Sequence, residues 1–188
     1  MPGNRFSEKV IVMRVRAIQL FSLISLVVTQ LAWAAPKTVD QVDLDRFMGQ
    51  WHTVAAFPSK NQKVCRCDTI TFDKEIVDGD TKLTITTRCI RKDSSRTSSR
   101  NGTVEPIEGS RNSKLRVFLF WPLSGQFWVL QLDPDYQYAL VGSPNYKKLW
   151  VFSRTPQLDP AIQKKLLAYA KQQGYSIENV VNLDQNCA

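Results

Sequence analysis

The stretch that decides the fold is Met48-Gly49-Gln50-Trp51-His52-Thr53-Val54-Ala55-Ala56-Phe57-Pro58. Gly49 permits a backbone turn that a Cβ atom would obstruct, and the alternation that follows it is typical of a β-strand. One face of this strand carries Trp51, Thr53, Ala55 and Phe57, and the other face carries His52, Val54 and Ala56. We expect Trp51 to plug one end of a β-barrel, and we expect the smaller Thr53 and Ala55 to leave a cavity above the indole.

Segments with strand character recur along the rest of the chain, separated by short turns. The Asp78-Gly79 pair is typical of a two-residue hairpin. Eight such segments in succession predict an all-β fold, an eight-stranded antiparallel up-and-down barrel. We expect strands at residues 51–57, 65–73, 82–90, 103–108, 114–121, 126–132, 137–141 and 148–154. The Ser, Lys and Arg run at residues 91–101 is expected to be a solvated loop, with a membrane-surface contact as the alternative.

One helix is expected after the strands, and the sequence marks both of its ends. Asp159 suits the N-cap, Pro160 suits the first helical position, and Gly174 suits the position after the last turn. Leu166 and Ala170 belong to an apolar stripe at helical spacing. A helix of this length cannot fill the barrel, so we expect it to pack against the outer wall.

Residues 1–34 have the pattern of a secretory signal peptide, which leaves residues 35–188 as one domain. Arg14 and Arg16 precede an apolar run, and the run ends at Ala32-Trp33-Ala34, with small residues where signal peptidase cleaves. The run is shorter than the ~20 residues of a membrane span, and a retained anchor is the alternative. Translation could begin at Met1 or at Met13. No cysteine precedes Cys65, so we expect an exported protein, periplasmic or secreted, without a lipid anchor.

The composition supports a packed core and argues against a nucleic-acid partner. The hydrophobic fraction is 43%, which is typical of a folded domain. The net charge is +8, and removing the four basic and one acidic residues of the leader leaves +5. The basic residues are scattered and the chain is expected to be exported, so we expect no nucleic acid among its partners.

Four cysteines predict two disulfides in an oxidising compartment, with three possible connectivities. A hairpin that turns at residues 77–79 places Cys65 opposite or nearly opposite Cys89. This predicts a Cys65–Cys89 bridge and leaves Cys67 for Cys187. Cys65-Arg66-Cys67 lacks the two-residue gap of a redox or zinc motif, and the chain has one histidine, so we expect no metal and no cofactor.

Three separated stretches together resemble the motifs of the lipocalin family. Gly49-Gln50-Trp51 resembles the first motif, residues 132–142 with Asp133-Pro134-Asp135-Tyr136 resemble the second, and residues 149–156 resemble the third. The chain is similar to bacterial lipocalins and apolipoprotein D over roughly residues 39–187. In apolipoprotein D a strand cysteine pairs with a tail cysteine, which matches Cys67 with Cys187.

The resemblance also implies architectural roles. Arg154 should stack on Trp51 and reach nearby backbone carbonyl groups, closing the base of the barrel. Asp133 and Tyr136 should shape the turn between the sixth and seventh strands, and Gly49 belongs to the same architectural set.

The predicted cargo is a fatty acid, a lysophospholipid or a similar amphiphile inside the barrel. Ligand pockets are mostly apolar and aromatic, and the inward positions of the predicted strands are of that kind. The candidate ligand contacts are Ala55, Phe57, Trp121, Phe127, Trp128, Tyr138 and Trp150, with the choice between Phe127 and Trp128 depending on strand register. A headgroup could lie at the open mouth near Lys60, Lys63 or Arg66.

Two other classes of function are alternatives to the carrier. A lipocalin-fold enzyme with isomerase or epoxide chemistry would need an unpaired cysteine or His52, and the alternation points His52 away from the cavity. A protein-interaction module could use Phe118 and Phe120, if both point outward from the fifth strand. We expect a carrier, present as a monomer or a weak homodimer.

Overall fold

The computed structural model describes residues 35–58, 64–120 and 123–187 of the 188-residue chain. The expected leader at residues 1–34 and the candidate ligand contact Trp121 lie outside these ranges, as do Lys60 and Lys63. Within the described part, no helix has the length and apolar character needed to cross a membrane.

Eight antiparallel strands of the described chain close into a barrel, which confirms the predicted fold class. The strands are β1 (Gly49–Ala56), β2 (Cys65–Val77), β3 (Asp80–Arg91), β4 (Thr97–Pro106), β5 (Lys114–Phe120), β6 (Leu123–Leu132), β7 (Tyr138–Gly142) and β8 (Leu149–Ser153). Each strand pairs with the next, and β1 pairs with both β8 and β2, so the sheet closes on itself. The turn from β2 to β3 is the predicted two-residue hairpin, with positive φ at Asp78 and Gly79.

Strand β4 begins earlier than the sequence predicts. Only residues 92–96 connect β3 to β4, so most of the loop expected at residues 91–101 is strand. The pairing runs without a shift from Ile90 opposite Thr97 to Leu83 opposite Val104. The polar sequence carries no alternation of apolar residues, but backbone pairing with β3 holds it as a strand.

Two helices flank the barrel. The short α1 (Leu44–Phe47) leads into β1, and α2 (Pro160–Gln172) packs on the outer wall as predicted. Asp159 caps α2 by accepting a hydrogen bond of 2.7 Å from the backbone N–H of Ala161. Gly174 has a φ of 100° just beyond the last turn, a conformation that glycine adopts without strain.

Two apolar clusters lie on opposite sides of the barrel wall. The inner cluster includes Phe47, Trp51, Ile70, Phe72, Ile85, Val117, Val129 and Phe152. The outer cluster, between the wall and α2, includes Leu130, Leu140, Leu149, Val151, Leu166, Ala170 and Tyr175. The clusters therefore show which residues of each strand face the interior.

The C-terminal tail fills the side of the barrel where β1 and β2 part. Residues 49–52 of β1 pair with β2, but beyond them β1 pairs with the short tail strand β9 (Val181–Asn182). The side-chain amide of Gln185 donates hydrogen bonds to the carbonyl oxygens of Thr53 at 2.8 Å and Asp68 at 3.1 Å. The tail thus links the two strands that no longer pair with each other.

Two disulfides hold β2 to its neighbours. Cys65 is joined to Cys89 with a Cα–Cα distance of 5.6 Å, and Cys67 is joined to Cys187 with a distance of 6.2 Å; both lie in the usual range. Cys67 has a φ of 54° at an irregularity in the pairing of β2 with β3. Its N–H donates to the carbonyl of Asp184 at 2.7 Å, so this bulge directs β2 toward the tail.

Candidate ligand-binding site in the barrel interior

The floor of the barrel is the Trp51 indole with the Arg154 guanidinium stacked on it. The Cζ atom of Arg154 lies 3.7 Å from the centroid of the Trp51 ring, a cation–π contact. Trp51 is fully buried, and its Nε1 donates to the carbonyl oxygen of Phe47 at 2.9 Å. The indole therefore has its polar atom satisfied while its ring closes the lower end of the interior.

Arg154 also gathers the backbone carbonyls of the base. It donates to the carbonyl oxygens of Tyr136 at 3.2 Å, Gln50 at 2.8 Å, Arg46 at 2.8 Å, Phe47 at 3.3 Å and Met48 at 2.9 Å. Burial lowers the pKa of Arg154, but a guanidinium stays protonated at neutral pH. Gly49 has a φ of 90°, so a residue with a Cβ would be strained there by its backbone conformation, although the Cβ itself would lie at an ordinary contact distance of 3.5 Å from Nη1 of Arg154.

Asp133 and Tyr136 hold the turn between β6 and β7 against the base. The Asp133 carboxylate accepts hydrogen bonds from the backbone N–H groups of Asp135 at 3.2 Å and Gln137 at 3.1 Å. The Tyr136 hydroxyl accepts from the N–H of Asp43, the residue that caps α1, at 2.9 Å. This turn therefore anchors Asp43 and the start of α1 at the closed end of the barrel.

A β-bulge at Val54 changes the faces of β1. Thr53 pairs with Phe152, but the next pair along the strand is Ala55 with Val151, because Val54 has no partner residue on β8. A bulge inserts one residue into one strand only, so it shifts the inward-facing set of residues by one position.

Because of the bulge, two residues that the sequence predicts as ligand contacts lie on the outer side of the wall. Ala55 belongs to the outer cluster, and Phe57 packs against that cluster with its ring centroid 6.4 Å from that of Tyr175. Neither residue therefore faces the interior as the unbroken alternation predicts. Ala56 takes the inward position instead, opposite Trp150 on β8.

An aromatic pair lines the interior above the floor. The ring centroids of Phe127 and Trp150 are 4.6 Å apart, and both residues pack against the inner cluster. At the floor, Trp51 and Phe152 are 0% and 1% exposed, whereas Phe127 and Trp150 are partly exposed. Partial exposure on an inner wall means that solvent reaches this level of the barrel, and a small apolar ligand could contact the two rings there.

The strand register also decides between Phe127 and Trp128. Trp128 packs against the outer cluster, with the Lys114 ammonium 4.2 Å from the centroid of one of its rings. Tyr138 packs against the same cluster, where burial and the Asp133 carboxylate raise the pKa of its hydroxyl. Trp128 and Tyr138 therefore face outward, which corrects their expected place in the cavity.

Of the residues named for the other functions, His52 and Phe118 lie on the outer face. His52 Nδ1 is 3.3 Å from Oε1 of Gln185 in the tail. Phe118 pairs with Thr103 on the outward face of β5 and is half-buried, while the side chain of Phe120 lies outside the described part. All four cysteines are in disulfides, and no cluster of three or more potential metal ligands occurs within the described ranges.

The family model of the lipocalin-like domain matches residues 42–185. The chain belongs to the lipocalin family. Temperature-induced lipocalin-1 of Arabidopsis thaliana is 32% identical over 165 residues, covering 80% of this lipocalin and 83% of that protein. The outer membrane lipoprotein Blc of Vibrio cholerae is 26% identical over 150 residues, covering 79% and 86%. The solved structure of insecticyanin from the tobacco hornworm Manduca sexta shares the fold with a TM-score of 0.62 at 20% identity, covering 79% and 84%.

Two inner-wall residues complete the candidate site beyond those that the sequence predicts as ligand contacts. Leu119 packs against the inner cluster and is partly exposed, and its alternation with Leu115 and Val117 along β5 is a signal visible in the sequence. Ala56 carries no such signal, because its inward position depends on the bulge at Val54.

Proposed function

We propose that this lipocalin carries a small amphiphile, such as a fatty acid or a lysophospholipid, inside the barrel. The observation that carries the proposal is the partly exposed Phe127–Trp150 pair on the inner wall, above a floor that Trp51 and Arg154 seal. Aromatic and aliphatic walls with few polar groups are typical of small-molecule sites. The acyl chain would lie against the two rings, and the headgroup would stay near the open end.

Burial of an acyl chain supplies enough free energy for a useful affinity. About fourteen buried methylenes contribute about 0.8 kcal/mol each, or about 11 kcal/mol. Ordering of the partners costs about 4 kcal/mol or more, which leaves about 7 kcal/mol and a Kd on the order of 10 μM. The chain length of the ligand should therefore control the affinity more strongly than its headgroup.

Two tryptophans on opposite faces of the wall provide a matched test. A fatty acid brominated on its acyl chain quenches tryptophans that it contacts. We expect Trp150→Phe to remove most of the quenching and Trp128→Phe to leave it unchanged. Trp150→Ala should also weaken binding about tenfold, since an aromatic contact of about 1.4 kcal/mol is lost. Equal effects of the two Phe variants on quenching would contradict binding inside the barrel.

The natural ligand requires a separate experiment. Native mass spectrometry of the protein purified from its own compartment, followed by solvent extraction, should yield a single-chain amphiphile. Recovery of a polar metabolite without an acyl chain would contradict the proposed cargo. The proposed role is that of a carrier, since His52 lies on the outer face and all four cysteines are in disulfides.

We also propose that the chain is exported to a periplasmic or secreted location without a lipid anchor. Two observations support the export of the chain. Two disulfides are typical of oxidising compartments, and the relatives in Vibrio cholerae and Escherichia coli, which are outer membrane lipoproteins, are exported. The intact mass of the mature protein should correspond to a chain that begins at Ala35. An acylated mass or a retained leader would contradict this proposal.

Contact with an anionic membrane surface is a further part of the proposal. Lys92 and Arg96 are exposed in the loop between β3 and β4 at the open end. Arg91 is instead paired with Asp93 at 2.5 Å, and the pairing lowers the pKa of Asp93 to about 2. Lys92→Glu with Arg96→Glu should reduce sedimentation with phosphatidylglycerol vesicles, and unchanged sedimentation would contradict this contact.

A further inference from the structure

A second concave surface lies outside the barrel, between α2 and the C-terminal tail. This outer groove has a volume of about 720 Å³, within the range of about 300–1,000 Å³ that is typical of small-molecule sites. Its apolar walls include Val54, Leu158, Leu167, Ile177 and Leu183. The wall of β1 separates this groove from the barrel interior, because Val54 faces the groove and Ala56 faces inward.

The groove results from how the helix and the tail pack on β1. Leu166 and Ala170 of α2 are buried against the barrel, whereas the next residue round the helix, Leu167, is only half-buried and lines the groove. On the other side the tail pairs with β1 through β9. The Gln163 amide of α2 donates to the Asn182 side chain at 2.7 Å, which holds the helix and the tail at a fixed separation.

Two cations line the same groove. Lys164 and Lys171 are seven residues apart on α2 and therefore lie on one face of the helix, on either side of Leu167. Both are exposed, and neither forms a salt bridge with any described residue. The groove lining contains no aspartate or glutamate. The combination of an apolar wall and two unpaired ammonium groups complements a molecule with one acyl chain and one anionic headgroup.

We propose that the outer groove is a second binding site, for a long-chain fatty acid. The acyl chain lies along the apolar wall made by the helix and the tail, and the carboxylate is held by Lys164 or Lys171. Because the cations are exposed, the electrostatic part of this binding weakens as the salt concentration rises. The site is independent of the barrel interior, so the protein binds two acyl chains.

The test is native mass spectrometry of the mature protein titrated with palmitate. The wild type should bind two molecules. Ala168→Phe fills the groove from the exposed face of α2 and should leave one molecule bound. Ala161→Phe is the matched control, since Ala161 is exposed on the same helix but does not line the groove, and it should still bind two.

Charge substitutions test the headgroup contact. Lys164→Glu with Lys171→Glu should weaken the binding of the second palmitate about fivefold or more. In the wild type, about 0.5 M NaCl should also weaken the binding of the second palmitate. Lys165→Glu is the control, because Lys165 is exposed on α2 and lies outside the groove.

Two outcomes would overturn the proposal. One is binding of a single palmitate by the wild type that Ala168→Phe leaves bound, and the other is a second palmitate that neither Ala168→Phe nor the double charge reversal affects. Quenching of Trp150 by a brominated fatty acid should persist in Ala168→Phe, which separates a failure of the groove from a failure of the barrel site.

Discussion

The lower and upper parts of this barrel close in different ways. In the lower part, β1 pairs directly with β2 from Gly49 opposite Phe72 to His52 opposite Thr69, and Arg154 ties the carbonyls of the base together. In the upper part the two strands diverge, and the tail enters between them. Direct pairing thus closes the part with a fully buried core, whereas a segment from the far end of the chain closes the part with the candidate site.

The largest loss of stability is expected when the disulfide between Cys67 and Cys187, the tail bridge, is removed. The Cys67–Cys187 bridge closes a loop with a sequence separation of 120, and the chain-entropy model gives about 4–5 kcal/mol for a loop of this length. Cys67→Ser with Cys187→Ser should lower the free energy of unfolding by that order while the barrel still binds lipid. Urea denaturation measures the loss.

The hairpin bridge is the control for the tail bridge. Cys65→Ser with Cys89→Ser removes a bridge with a separation of only 24, and the same model gives about 3 kcal/mol. Hydrogen exchange should show faster opening of residues 53–56 of β1, the part that no longer pairs with β2, only in the variant without the tail bridge. Unchanged melting of that variant would show that the tail is held without the disulfide.

Loss of the guanidinium at the floor should have the next largest effect. Arg154→Ala removes a donor from five carbonyl groups of the base, of which that of Phe47 keeps the Trp51 indole N–H, and it removes the contact with Trp51. We therefore expect a loss of about 3 kcal/mol. Arg46→Ala is the control, since Arg46 donates to one carbonyl, that of Pro134, and stacks on the exposed side of the base 4.2 Å from the Tyr136 ring centroid. It should cost about 1 kcal/mol. Similar losses in the two variants would show that the floor depends on burial of Trp51 alone.

Gln185 gives a smaller test of how the tail joins the two strands. Gln185→Ala removes the hydrogen bonds to the carbonyls of Thr53 and Asp68, and we expect a loss of about 1–2 kcal/mol. The neighbouring Asn186 is exposed, so Asn186→Ala should change the stability by less than about 0.5 kcal/mol. Thermal melting measures both variants, and equal effects would mean that the Gln185 amide does not bridge the strands.

The smallest effect is expected at the contact between the tail segment and the turn after β7. The Tyr175 hydroxyl donates to the carbonyl of Ser143 at 2.8 Å, so Tyr175→Phe should cost about 1 kcal/mol. Burial, and to a lesser extent Tyr146, raises the pKa of Tyr175. The stability from this shift is present below the ordinary tyrosine pKa of about 10 and is lost as the pH rises above it. Stability measured from pH 8 to 11 should therefore fall less steeply in Tyr175→Phe, and identical slopes would contradict the assignment.

Local patterns in the sequence were enough for the architecture. Alternation of apolar residues predicted most strands, the Asp78-Gly79 pair predicted the hairpin that begins β3, and Asp159 with Gly174 marked the limits of α2. These features depend on a few neighbouring residues, because turn geometry, helix capping and strand alternation are local properties of the chain.

Side-chain direction at the candidate site depends on contacts between distant parts of the chain. The alternation in β1 could not reveal the bulge at Val54, since a bulge is defined by the partner strand, and it moves Ala55 and Phe57 outward while Ala56 turns inward. Phe127 and Trp128 are adjacent, and only the pairing of β6 with its neighbours directs the first inward. Because the faces of a strand alternate at every residue, a shift of one position exchanges the inner and outer walls, and that shift is set when the sheet assembles.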